Sequence, residues 1–270
     1  MEPIQVKYES LKSSLAQFGR VAVAFSAGVD SALLLKAAHD ALGGNAVAVT
    51  VRHAAFPGRE GDEARAFCGA LGVRLIEIEL DVFAVDGFAA NPPQRCYLCK
   101  RAVFERILTV AAQHGFPVVA EGSNLDDAGD YRPGLRALAE LGVKSPLRDA
   151  GLTKADIRAL SKALGLPTWN KPSYACLATR VPYGEAITPE KLAMIETAEQ
   201  VLLDLGFRQC RVRHHGAVAR IEIEAEAFAL FMQPDVRAQV NDRLRDCGFL
   251  YVALDLRPYR TGSLNDALRH

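Results

Sequence analysis

Three groups of residues in this sequence have types and spacings that can do chemistry. The first is Ser26-Ala27-Gly28-Val29-Asp30-Ser31. An apolar, β-branched run, Val21 to Phe25, precedes it, and an apolar face at helical spacing through Leu34, Leu35 and Ala38 follows, so the segment reads as strand, tight turn and helix. A helix start leaves backbone N–H groups without intrahelical partners and carries the positive end of the helix dipole, which makes the turn an anion site. Ser26 and Ser31 add hydroxyl donors, and Asp30 or Ser31 is expected to cap the helix. The second group is Cys96-x-x-Cys99 with the distant Cys176. A C-x-x-C at a helix start lets two thiolates reach one metal centre, and the dipole favours the thiolate form. With Cys176 the three suit a [4Fe–4S] cluster with one iron left open. Structural zinc takes four ligands, and no fourth stands out. A redox-active or purely structural pair is the competing reading. The third group is Arg211 and Arg213. They alternate on a strand and so share a face, and two guanidiniums on one face suit a phosphate. The bland alternative is two surface arginines on an edge strand.

The elements that must position these residues follow from periodicity. Strands are expected at Val21–Phe25, Ala46–Val51, Arg74–Leu80 and Pro117–Glu121, with helices at about Glu60–Leu71 and Cys96–His114 between them. This alternation of strands and helices means βαβ units and a doubly wound parallel sheet. Ligands sit at the C-terminal ends of such strands, where Ser26, Thr50 and Gly122 fall. A helix capped by Thr153 is expected to Leu164, followed by the irregular Pro167–Arg180. From Val181 the pattern changes: a helix Pro189–Leu205 capped by Thr188, strands Gln209–His214 and Val218–Ile223, a helix Val236–Cys247 and a strand Phe249–Leu256. Two domains are therefore expected: an α/β domain over 1–180 and a small α+β domain over 181–270.

Composition bounds the function. The chain has 270 residues, 50% hydrophobic, with Lys+Arg and Asp+Glu balanced at 32 each. That balance argues against a broad nucleic-acid surface. The first twenty residues read as a polar amphipathic helix and not as a signal peptide, and no apolar run reaches membrane-span length. A soluble, cytoplasmic protein with no membrane partner is expected. The six cysteines do not suggest a disulfide scaffold at this size.

The first turn resembles the S-G-G-x-D-S loop of the PP-loop ATP pyrophosphatases, with Ala27 in place of the first glycine. That departure is mild unless the position needs positive φ. Arg95-Cys96-Tyr97-Leu98-Cys99-Lys100, Asp130-Tyr131-Arg132-Pro133-Gly134, the Cys176 loop, Arg211-Val212-Arg213 and Leu254-Asp255-Leu256 follow in order. Over most of its length the chain therefore resembles the LarE family of ATP-dependent sulfur transferases, which mature the nickel-pincer cofactor of lactate racemase. The resemblance implies an ATP site of Ser26, Gly28, Val29, Asp30, Ser31, Thr50 and Gly122, with Mg²⁺ at Asp30. It implies adenylation of a carboxylate of pyridinium-3,5-biscarboxylate mononucleotide with release of pyrophosphate, followed by attack of Cys176 on the acyl adenylate. It places the substrate phosphate at Arg211 and Arg213 with Glu199 nearby. The chain is similar to the three-cysteine members, which implies a cluster on Cys96, Cys99 and Cys176. The resemblance also allows hand-over of the product to a nickel-inserting protein.

Competing functions are an ammonia-dependent amidotransferase of the NAD synthetase type, a tRNA thiolase, and a non-enzymatic adenine-nucleotide sensor. The cysteines count against the first, and zero net charge against the second. A symmetric homo-oligomer is the default expectation. Lys171 and Arg180 lie close in sequence to Cys176 and can favour its thiolate. Cys68 reads as core, Cys210 and Cys247 have no role, His214 and His215 read as surface residues, and Trp169 and Tyr174 as packing residues of the cysteine loop.

Overall fold

A computed structural model describes residues 3–129 and 133–264. They form two compact units. The first takes the described residues up to His53 with 58–85 and 94–174, and the second takes 54–57, 86–93 and the described residues from Ala175 onward.

The first unit runs α1 (Pro3–Ala16), β1 (Val21–Ala24), α2 (Val29–Leu42), β2 (Ala46–Arg52), α3 (Gly58–Leu71), β3 (Leu75–Glu79), α4 (Arg95–Gln113), β4 (Val118–Ala120), α5 (Pro133–Glu140), α6 (Pro146–Asp149) and α7 (Lys154–Ala163). Its strands form one parallel sheet in the order β3-β2-β1-β4. Successive side chains on a strand face opposite sides, and here each side has its own core. Val21, Val23, Ala46 and Ala48 pack with Leu33 and Leu34 of α2 and Leu11 of α1. Ala22, Val47 and Val49 pack with Val103, Phe104 and Ile107 of α4. Cover on both faces is why β1 and β2 read as unbroken apolar runs. The chain leaves β1 for β2 on one side, and β4 returns to the other side of β1. The crevice where ligands bind in such sheets therefore opens at the C-terminal ends of β1 and β4.

The second unit contains α8 (Pro189–Asp204), β5 (Cys210–His215), β6 (Val218–Ile223), α9 (Phe228–Phe231), α10 (Pro234–Asp246) and β7 (Tyr251–Leu254). β5 and β6 are antiparallel, and β7 joins β6 in parallel. Ala198 and Leu202 of α8, Val240 and Leu244 of α10, and Val212 and Ile221 of the sheet make the core. Thr188 caps α8 as expected, its hydroxyl accepting from Lys191 N at 3.3 Å, with proline in the first turn.

Several features differ from the sequence expectation. The second unit begins at Ala175 and draws in two short segments from the N-terminal half. Leu177 N donates to Ala55 O (2.8 Å), Ile187 N to Ala89 O (2.8 Å) and Gly184 N to Asn91 O (3.0 Å). Buried Asn91 takes φ 53° and donates from Nδ2 to the carbonyls of Val181 and Pro182. α5, α6 and α9 were not legible, because each is too short to show a helical period. Asp130-Tyr131-Arg132 lies outside the described residues. No described helix is long and apolar enough to cross a membrane.

Candidate functional site

Ser26 to Ser31 lies at the C-terminal end of β1 and leads into α2. The helix is not capped by Asp30 or Ser31. Its N-cap is Gly28, in extended conformation and with no side-chain cap bond. The first N–H groups of α2 are thereby left to an outside acceptor. The serines fold the loop on itself: Ser26 Oγ and Ser31 Oγ are 3.1 Å apart, and Ser31 Oγ donates to Gly28 O at 3.2 Å. Ala27 has φ 52° and is buried. The position where the loop motif carries glycine thus does need the left-handed region, and alanine occupies it at a cost of about 1–2 kcal/mol. Gly122 follows β4, and a Cβ on it would stand 3.0 Å from Ser31 N and 3.2 Å from Asp30 Cβ. Only glycine lets the β4 end approach the α2 start this closely. Thr50 is buried in β2, close to the C-terminal end of that strand.

Asp30 stands in the first turn of α2. Its carboxylate accepts from the Lys154 ammonium and, at 3.4 Å, from Asn124 Nδ2. Such a hard oxygen donor beside an anion site fits Mg²⁺ chemistry. Glu121, at the end of β4, is buried and accepts from Ser123 N, Ser123 Oγ and Ser145 Oγ (3.0, 2.8 and 2.6 Å), which fixes the strand end. Lys154, Asn124 and Glu121 escaped the sequence reading. A usable signal existed for Lys154, because a lysine in the first turn of a helix opposes the dipole.

Cys96 lies in the first turn of α4 and Cys99 at the start of the second, both partly exposed. Residues three apart on a helix are neighbours on its surface, as two ligands of one centre require. Arg95 Nη2 approaches Cys96 Sγ at 3.4 Å. Among the described residues no three His, Cys, Asp or Glu side chains are grouped as metal ligands.

In the second unit Cys176 precedes a short turn, Leu177–Arg180, and is partly exposed. Buried Arg180 braces this turn. Its Nη1 donates to Ala175 O (2.7 Å), Cys176 O (3.0 Å) and Thr179 Oγ1 (2.9 Å), while Nε and Nη2 form a two-pronged pair with Glu199 at 2.8 and 2.9 Å. Burial pulls the Arg180 guanidinium down, but Glu199, with smaller help from Cys176, outweighs it and raises the group above its ordinary value. Glu199 Oε1 also accepts from Val212 N at 3.0 Å, which ties the turn to β5.

Arg211 and Arg213 are both buried on β5, which is an edge strand. Arg213 pairs with Glu222 at 3.0 and 2.8 Å and donates to Thr179 O (2.6 Å) and Ser263 Oγ (2.7 Å). Arg211 lies over the Tyr259 ring at 4.9 Å. Its guanidinium is held down, first by burial and then by Arg180. Arg213 and Arg220 share Glu222, Arg220 also pairs with Asp255, and Arg180 pairs with Glu199, so this network of guanidiniums and carboxylates lies beside the Cys176 turn. Glu199 itself is a carboxylate committed to Arg180.

The remaining expectations sort cleanly. Cys68 is buried in the core, its thiol pushed up to about 11 by burial. Cys210 lies in the second core, and Cys247 donates to Arg243 O. His214 is a correction: it is buried, packed at 5.5 Å from the Phe249 ring, because it alternates onto the same face of β5 as the core residues Cys210 and Val212, whereas His215 is exposed. Trp169 is also a correction, since 37% of it is exposed.

The chain is 38% identical over 269 residues to the pyridinium-3,5-bisthiocarboxylic acid mononucleotide synthase of Lactiplantibacillus plantarum, covering 99% of this chain and 97% of that protein. It belongs to that synthase family. Another relative of this family member, an uncharacterised protein of Synechocystis sp., is 39% identical over 98% of this chain and 99% of its own length. The tRNA-specific 2-thiouridylase of Desulforamulus reducens is 29% identical over 57% of this chain and 53% of its own. No family model matches the chain.

Proposed function

We propose that the chain is an ATP-dependent sulfur transferase that converts a carboxylate of pyridinium-3,5-biscarboxylate mononucleotide into a thiocarboxylate. The observation that carries this reading is the near full-length likeness to the Lactiplantibacillus synthase, together with an uncapped α2 start behind Ser26–Ser31. A carboxylate oxygen attacks the α-phosphorus of ATP, the bond to the β-phosphate oxygen breaks, and pyrophosphate leaves with the electron pair. The N–H groups of Val29, Asp30 and Ser31 and the Ser26 hydroxyl hold the phosphates, and Asp30 holds Mg²⁺, which neutralises phosphate charge. The Cys176 thiolate then displaces AMP to give a thioester, and hydrosulfide displaces that thiolate from the acyl carbon, giving the thiocarboxylate and returning the Cys176 thiolate. Arg180, gripping the carbonyls on either side of the 175–176 link, holds that residue in place. Arg211 and Arg213 bind the nucleotide phosphate of the acceptor.

A [4Fe–4S] cluster on Cys96, Cys99 and Cys176 rests on the resemblance to the three-cysteine members alone, since among the described residues no three His, Cys, Asp or Glu side chains are grouped as ligands; three thiolates would leave one iron open. Such a cluster, held by these thiolates, would supply the hydrosulfide that renews the sulfur. The decisive experiment couples pyrophosphate release to sulfur transfer in the anaerobically iron- and sulfide-treated protein. Release should depend on the carboxylate acceptor, and Cys176→Ala should keep release but lose transfer. Release that ignores the acceptor would favour a nucleotide sensor. Failure to bind iron, with a mass loss of about 34 Da at Cys176 after one turnover, would mean that the cysteine gives up its own sulfur and remains as dehydroalanine.

A further inference from the structure

Two ammonium groups stand at the two ends of the phosphate loop, and the proposed chemistry has not used them. Lys154 is the first residue of α7, and its ammonium pairs with Asp30. Lys171 donates to Ala27 O at 2.8 Å and pairs with Glu63. Both are organised by one helix. Lys154 lies on α7 itself. Arg158, one turn later, donates to Trp169 O (2.8 Å) and Lys171 O (3.0 Å) and so fixes the backbone that carries Lys171.

Ordinary surface ion pairs stabilise little, and Lys154 is placed against its helix dipole. Its backbone N–H is already taken by Asp126 at 2.8 Å. Helix stability therefore does not explain the residue. Lys171 is more informative still. It holds the carbonyl of Ala27, the one residue of the loop in the left-handed region, and its side chain is only 14% exposed. An ammonium has three donors, so each lysine has donors left for a ligand.

We propose that Lys154 and Lys171 contact the nucleotide and bind the phosphates that leave as pyrophosphate. This rests on reading Ser26–Ser31 as the ATP site. As the bond from the α-phosphorus breaks, negative charge gathers on the departing bridging oxygen. Two cations held beside the loop stabilise that charge. No proton transfer is required: the ammonium groups donate hydrogen bonds and stay charged. Lys154 exchanges its Asp30 partner for phosphate oxygen, which frees the Asp30 carboxylate for a divalent cation.

The test is calorimetric titration of Lys154→Met and Lys171→Met with inorganic pyrophosphate, a non-cleavable α,β-methylene ATP and AMP, each with Mg²⁺. The methionines keep the length of the stem and remove the charge. Each variant should lose at least tenfold in affinity for pyrophosphate and the ATP analogue, with AMP affinity within threefold of wild type. Lys154→Arg and Lys171→Arg should keep pyrophosphate affinity within threefold, and they serve where a methionine variant fails to fold. Equal loss for AMP and pyrophosphate would reduce the lysines to loop struts, and unchanged affinities would reduce them to surface ion pairs. Wild-type protein that binds neither ATP analogue nor pyrophosphate would overturn the ATP reading, and this proposal with it.

Discussion

At the scale of the residue, Ala27 shows how a motif position tolerates a departure. Its φ of 52° costs an alanine about 1–2 kcal/mol relative to the right-handed region. A glycine would remove that cost but lose a buried methyl worth about 0.8 kcal/mol and add unfolded-chain entropy of about 0.4–1 kcal/mol. The terms nearly cancel, so Ala27→Gly is expected to unfold in urea within about 1 kcal/mol of wild type. Ala27→Val puts a β-branched side chain at positive φ inside a packed core and should cost more than about 2 kcal/mol, with nucleotide binding lost. A stable, nucleotide-binding valine variant would show that the loop does not need this conformation. Arg180 teaches a related lesson. It sits four residues after Cys176, but its guanidinium is neutralised by Glu199. It acts on the thiol mainly by holding the backbone, and only weakly as a bare charge.

At the scale of the element, the proposed nucleotide site depends on how closely β4 ends against the start of α2. Gly122→Ala would drive a Cβ to 3.0 Å from a backbone nitrogen, which cannot move without shifting the loop. The expected cost is about 1–3 kcal/mol, with weaker pyrophosphate binding in titration. Gly69 is the natural control: it lies on the exposed face of α3 with nothing near its missing Cβ, so Gly69→Ala should stabilise by about 0.5–1 kcal/mol. If both substitutions behave alike, close approach at Gly122 is not what constrains that residue. α7 matters for the same reason. Its capping box, with Thr153 accepting from Asp156 N and Asp156 accepting from Thr153 N, fixes where the helix starts and hence where Lys154 stands.

At the scale of the whole molecule, stability is tied to pH through His53. Burial lowers its pKa from 6.5 to about 4. Above pH 6.5 the ring is neutral whether the chain is folded or not, and stability is complete. As pH falls from 6.5 towards 4 the unfolded chain takes up a proton that the folded one refuses, and up to about 3 kcal/mol is lost. Urea melts across this range should show that slope, and His53→Gln should flatten it; an unchanged slope would assign the loss to other groups. The parallel sheet and the strand–turn–helix around Ser26–Ser31 were legible in the sequence, because unbroken apolar runs such as Val21–Phe25 and the capping residues Thr153 and Thr188 are local signals with fixed periods. The C-x-x-C at the start of α4 was legible for the same reason. The partners of the charged residues were not. Whether Arg211 and Arg213 are buried, whether Glu199 meets Arg180, and whether Lys154 reaches Asp30 each depend on residues far apart in the chain. Only packing of the elements brings those charges together, and burial then makes each isolated charge too costly to leave unpaired.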